Sequence, residues 1–134
     1  MKILGIEHIG IAVNDLDTSA PFWSHILNIS HKGKEIVQDQ GVLTDIYDTT
    51  QGKVELLQSL GDDTPIGKFL SKRGPGVHHV CFEVDDINQA INELNELNIH
   101  ILSDHPTMGA EGYKVVFIHP ESTGGVLVEL AEKP

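Results

Sequence analysis

Two histidines and two glutamates stand at matched positions along the chain. The stretch IEHIGIAVNDL at 6–16 aligns without a gap on VHHVCFEVDDI at 77–87, an offset of 71 residues. His8 falls on His79, Val13 on Val84 and Asp15 on Asp86. A second repeated word, VEL, occurs at 54–56 and at 128–130, placing Glu55 against Glu129. His8 precedes Glu55 by 47 residues and His79 precedes Glu129 by 50. Imidazole and carboxylate from four strands form a donor set for a divalent first-row metal. Four protein ligands around an octahedral ion leave two adjacent positions open, which is the mark of a catalytic rather than a structural site.

Strand parity decides which of the adjacent histidines 78 and 79 belongs to that set. Neighbouring strand residues point to opposite faces. Val80, Phe82 and Val84 share a face with His78, and this is the apolar face expected under the helices. His79 lies opposite, with Val77, Cys81 and Glu83. In the first copy Ile9, Ile11 and Val13 form the apolar face, so His8 also lies opposite. Glu55 and Glu129 alternate with Val and Leu and face the same inner side. A buried carboxylate is costly unless it is paired or meets a cation.

The elements that must hold these four residues also repeat. In the second copy Ile87, Ala90, Ile91, Leu94 and Leu97 recur at helical spacing, and Asp85 or Asp86 can cap the first turn. In the first copy Phe22, Trp23, Ile26 and Leu27 predict a helical apolar face, starting around 16–20 because Pro21 is tolerated only near a helix start. Strands are predicted at 41–48 and 53–58, joined by TTQG, and at 113–118 and 125–131, joined by HPESTG. Weaker strands fall at 31–37 and 99–103. The expected fold is α+β: two βαβββ modules related by a pseudo-twofold, with curved mixed sheets enclosing a metal-containing cleft. One domain over 1–134 then comprises module one at about 3–59, a linker with a short helix at about 60–76, and module two at about 77–132.

With 134 residues the chain has the size of one domain and needs no disulfide. Its only cysteine, Cys81, sits mid-strand and reads as a small buried side chain rather than a reactive thiol. Nine basic against 20 acidic residues give a formal charge of −11, which argues against nucleic acid and membrane as partners. The same charge disfavours an anionic substrate unless a local positive centre, such as a metal ion, receives it. Glu7 and His8 come too early for the apolar core of a signal peptide, and a cytoplasmic protein is the expectation.

The chain resembles the vicinal-oxygen-chelate superfamily and, within it, the methylmalonyl-CoA epimerases. The stretches that carry the resemblance are IEHIGIAVNDL at 6–16, QGV at 40–42, VELL at 54–57, TPIGKFLSKRGPGVHHVCFEVDDI at 64–87 and HPESTGGVLVELAE at 119–132. It implies that His8, Glu55, His79 and Glu129 ligate one divalent metal per chain. Cobalt is the expected ion, with Mn2+, Ni2+, Zn2+ or Mg2+ as alternatives. The substrate implied is methylmalonyl-CoA, whose (2R) and (2S) epimers interconvert by proton abstraction at C2 through an enolate, and the implied assembly is a homodimer. Glu129 is implied as a proton carrier as well as a ligand, and Glu55 is its repeat-related counterpart. One departure stands out. Thr44 occupies the place of a glutamate proposed as the second base in some relatives, and threonine is no base near neutral pH. Asp45 beside it should face away from the cleft by alternation. Asp48, on the parity of Thr44, is a substitute, as is a metal-bound water. Two other readings remain: a glyoxalase I-like lactoylglutathione lyase using the same four ligands, and a metal-free small-molecule binding protein of this superfamily. Lys68, Lys72 and Arg73 form a basic cluster on the linker helix that reads as a solvated face.

Overall fold

The computed structural model describes all 134 residues. They fall into two compact units, one of His8–His78 and one of Met1–Glu7 with His79–Pro134. The start of the chain therefore belongs with the second unit. The Met1 amino group pairs with the Glu93 carboxylate. The Lys2 amide donates to Asp85 Oδ1 at 3.2 Å, and the Asp85 amide donates to the Lys2 carbonyl at 3.3 Å.

In the unit of His8–His78, the end of β1 (Ile3–Ala12) runs parallel to β4 (Lys53–Ser59). Strand β3 (Val42–Asp48) is antiparallel to both β4 and β2 (Ser30–Val37). Helix α1 (Leu16–Pro21) starts at Asp15, whose carboxylate accepts from the Asp17 amide at 3.4 Å. The Leu16 amide, which no intrahelical carbonyl can serve, donates to Gln58 Oε1 at 2.9 Å. Val13, Leu16, Tyr47 and Leu56 form the core beneath α1, with Ala20 and Trp23 packed on it.

The expected helical face of Phe22, Trp23, Ile26 and Leu27 is only partly realised. Pro21 does not open α1 but ends it, and a π-helical turn follows at Phe22–Ile26, in which the Leu27 amide reaches the Phe22 carbonyl at 2.9 Å. Five-residue closure rotates the side chains away from the 3.6-residue pattern. Trp23 alone of the four packs on the core, and Phe22, Ile26 and Leu27 are exposed. Ile9 is also exposed, whereas Ile11 and Val13 join the core as expected.

Helix α2 (Pro65–Arg73) matches the short linker helix expected there. Thr64 caps it by accepting from the Gly67 amide at 3.1 Å, and proline at the first turn loses no bond. Gly67 admits no side chain, because a Cβ would strike the Gly61 carbonyl. His78 packs edge-on against Phe69 of this helix, ring centroids 5.0 Å apart. The Arg73 guanidinium lies 5.7 Å over the same ring. Lys68, Lys72 and Arg73 are exposed.

In the other unit the part of β5 (Gly76–Val84) from Val80 to Glu83 runs parallel to β8 (Val128–Glu132), which is antiparallel to β7 (Lys114–Ile118), which pairs in turn with β6 (Thr107–Met108). Helix α3 (Ile87–Glu96) is capped by Asp86, which accepts from the Gln89 amide at 3.0 Å. Ile87, Ala90, Ile91 and Leu94 pack on Val84, Val116 and Leu130, while Leu97 at the C-cap is exposed. The strand expected at 99–103 does not form. Its trace is a single bridge, Ile101 to Ile118, and the edge strand lies later, at Thr107–Met108. The last helical turn winds past the helix end, with Asn98 at φ 57° and the Ile99 amide bonded to the Leu94 carbonyl, which holds the following chain as a loop. Each unit thus carries a βαβββ order. No helix is long and apolar enough to cross a membrane.

Candidate active site

His8 stands two residues before Gly10, and Gly10 is the ladder partner of Glu55 in the parallel β1–β4 pair. His79 stands two residues before Cys81, and Cys81 is the ladder partner of Glu129 in the parallel β5–β8 pair. Laddered partners share a face and so do residues two apart. Each histidine is therefore placed diagonally beside its glutamate on one face, by the same register in both units. His8 Nδ1 lies 3.1 Å from Glu55 Oε2, and His79 Nε2 lies 3.1 Å from Glu129 Oε1. All four residues are buried, between 3% and 7% exposed.

The faces around each pair follow from antiparallel pairing. Ile46 opposes Glu55, and Phe117 opposes Glu129. The Phe117 ring meets His79 edge-on, centroids 5.7 Å apart at 85°, and so limits how that imidazole can turn. Cys81, Tyr113, Val115 and Ala131 continue this face as a small apolar cluster. Cys81 is fully buried.

Strand β3 carries Thr44, Asp45 and Asp48, the positions weighed above for a second base. Thr44 opposes Leu57 and shares the face of Ile46 and Glu55. Asp45 lies on the other face, with no bulge between β3 and β4 to re-aim it. It is fully buried there, with Oδ1 2.5 Å from His31 Nε2 and Oδ2 accepting from the Tyr47 hydroxyl at 2.7 Å. Burial first, and then the bond to Asp45 and its charge, push the Tyr47 hydroxyl up to about 12. Asp48 is engaged in the turn after β3, where Oδ1 accepts from the Thr50 amide at 2.8 Å. This Asp45 network has no counterpart in the repeat, and only the facing of Asp45 was readable from alternation.

Residues 7–117 match the model of the Glyoxalase/Bleomycin resistance protein/Dioxygenase superfamily. The human mitochondrial methylmalonyl-CoA epimerase is 41% identical over 128 residues, covering 95% of this chain and 73% of that protein. This chain belongs to the methylmalonyl-CoA epimerase family of that superfamily. A second family member, the ethylmalonyl-CoA/methylmalonyl-CoA epimerase of Cereibacter sphaeroides, is 37% identical over 95% of this chain and 96% of its own. A methylmalonyl-CoA epimerase solved in complex with methylmalonyl-CoA and NH4+ superposes with a TM-score of 0.93 at 31% identity, over 98% of this chain and 96% of that one. The fold of the epimerase family is thus the fold of this chain.

Within each unit the imidazole and the carboxylate form a pair that fits one divalent ion. Two ligands bonded to one ion at about 2.1 Å and at right angles are about 3.0 Å apart. Each His–Glu pair shows nearly that separation.

Proposed function

We propose that this epimerase-family chain interconverts the (2R) and (2S) epimers of methylmalonyl-CoA, with His8, Glu55, His79 and Glu129 holding one divalent cation. The observation that carries the proposal is the pair of buried His–Glu couples at 3.1 Å, built twice by one ladder register. Both substrate epimers are polyanions, and the formal charge of −11 repels them at long range. A cation held by these four residues would supply the local positive charge and would offset the negative charge that develops as the C2 proton leaves. Co2+ is the ion we favour.

The chain's own residues have two further tasks. Glu129 carries the proton on one face of C2, and Glu55 is its repeat-related counterpart for the other face. Thr44, on the face of Glu55, offers no basic group. Asp45 is held on the opposite face by His31 and Tyr47, so alternation removes it from the chemistry. Ile3, Leu4 and Ile6 of β1 are exposed apolar residues, in keeping with a homodimer.

The test is C2 deuterium uptake by methylmalonyl-CoA in heavy water. Metal-loaded protein should exchange the C2 proton, and chelator should stop the exchange until Co2+ is restored. Exchange unchanged by chelator contradicts the metal. No exchange, with turnover of the glutathione hemithioacetal instead, makes the chain a glyoxalase.

A further inference from the structure

Outside the two buried couples, one other group of metal-ligating side chains converges. His100 lies in the loop after α3, and His119 and Glu121 lie in the turn after β7. All three belong to the unit that contains α3. Their ligand atoms lie within 4.8 Å of one another. His100 Nδ1 is 2.6 Å from Glu121 Oε1, and His119 Nδ1 is 3.9 Å from Glu121 Oε2. The two imidazoles are stacked, centroids 4.5 Å apart and planes 3° from parallel.

The backbone beneath the cluster is bonded across the two loops. The His119 amide donates to the His100 carbonyl at 2.8 Å, and the His100 amide donates to Ser122 Oγ at 3.1 Å. His119 Nδ1 accepts from the Glu121 amide at 3.0 Å, so this nitrogen carries a lone pair and not a proton. Two of these bonds, from the His119 amide and from the His100 amide, hold the loops together without the three side chains.

We propose that His100, His119 and Glu121 form a second metal site that takes a borderline transition-metal ion of the Zn2+, Ni2+ or Cu2+ class. Two imidazoles and a carboxylate suit these ions. Ligands about 2.1 Å from one ion are separated by about 3.0–3.5 Å, between right-angle and tetrahedral geometry. The two measured separations, 2.6 and 3.9 Å, lie on either side of that range. Lone pairs of parallel rings do not converge, so the rings must tilt on binding. His119 Nδ1 then exchanges its amide contact for the ion. Both rings are at the surface, with side chains 50% and 39% exposed. The bound ion ties the loop after α3 to the turn after β7. It takes no part in proton transfer, and the proposal stands independently of the catalytic one.

Zn2+ uptake by equilibrium dialysis tests it on wild type, Glu121→Gln and His100→Asn, with epimerisation measured alongside. Neither substitution removes the backbone bonds under the cluster. The expected result is one equivalent fewer in both variants than in wild type, with C2 exchange unchanged. Histidine ring signals in the NMR spectrum give a reading that needs no variant, and those of His100 and His119 should shift with the first additions of Zn2+. Equal uptake by wild type and both variants, or ring signals of His100 and His119 that do not move, overturns the site and leaves a hydrogen-bonded surface pair. Loss of the catalytic ion would instead appear as lost exchange with the difference between wild type and variants preserved.

Discussion

Tyr47→Phe isolates the Asp45 network and tests whether Asp45 is structural. The substitution keeps the ring in the core of Val13, Leu16 and Leu56 and removes only the hydroxyl that donates to Asp45 at 2.7 Å. A hydrogen bond to a charged group contributes about 1.5–3 kcal/mol, so wild type should lead the variant by about 2 kcal/mol at neutral pH. The lead should depend on pH. Tyr47 titrates at about 12 in the folded chain against 10.0 for a free tyrosine, a rise of two units. A group whose folded value is raised contributes stability that is complete below pH 10 and is lost as the pH rises through 12. Two units correspond to about 2.7 kcal/mol. The wild-type lead should therefore fall to zero or below by about pH 12. Urea unfolding of both proteins in parallel, at intervals from about pH 8 to pH 12, measures this, because every other titrating group cancels in the difference. A lead that stays constant across this range would refute the placement of a buried carboxylate against the hydroxyl. Loss of C2 exchange in a folded Tyr47→Phe protein would show that the Asp45 network takes part in the chemistry after all.

Glu129→Gln should lower turnover by at least about 100-fold, the usual contribution of a positioned acid or base, and this is read as C2 exchange at saturating Co2+. Thr44→Val should change the same rate by far less than about 100-fold, and a loss of that size would make the hydroxyl part of the proton path. Asp86→Ala should cost about 1 kcal/mol in urea melts without affecting turnover, because it removes only the cap that accepts from the Gln89 amide.

The repeat made the two modules and the four buried residues legible, because strand parity and a shared register act within a few residues of each side chain. His8 and Glu55 are 47 residues apart yet lie in adjacent strands, and the matched word VEL was enough to pair them. Local patterns failed where backbone winding or a loop intervened. The face of Phe22, Ile26 and Leu27 assumed 3.6 residues per turn, and the π-helical turn after Pro21 moved these residues to the surface. At 99–103 the apolar pair Ile99 and Ile101 imitates a strand, but the helix end at Asn98 feeds a loop that meets β7 at one bridge. The histidines outside the repeat were the least legible. His31 finds Asp45 through cross-strand pairing and His100 finds His119 through loop packing, and neither partner is marked by spacing in sequence.

Double substitution tests the shared cation most directly. If both imidazoles bind one ion, as proposed, His8→Ala and His79→Ala should each lower the metal-dependent rate of C2 exchange by on the order of 100-fold or more. Residues that act as a unit are not additive. The double variant should therefore be about as slow as either single one, with the catalytic ion lost from all three. Rates that multiply, with the double variant slower by the product of the two single effects, would mean that the two histidines serve separate sites.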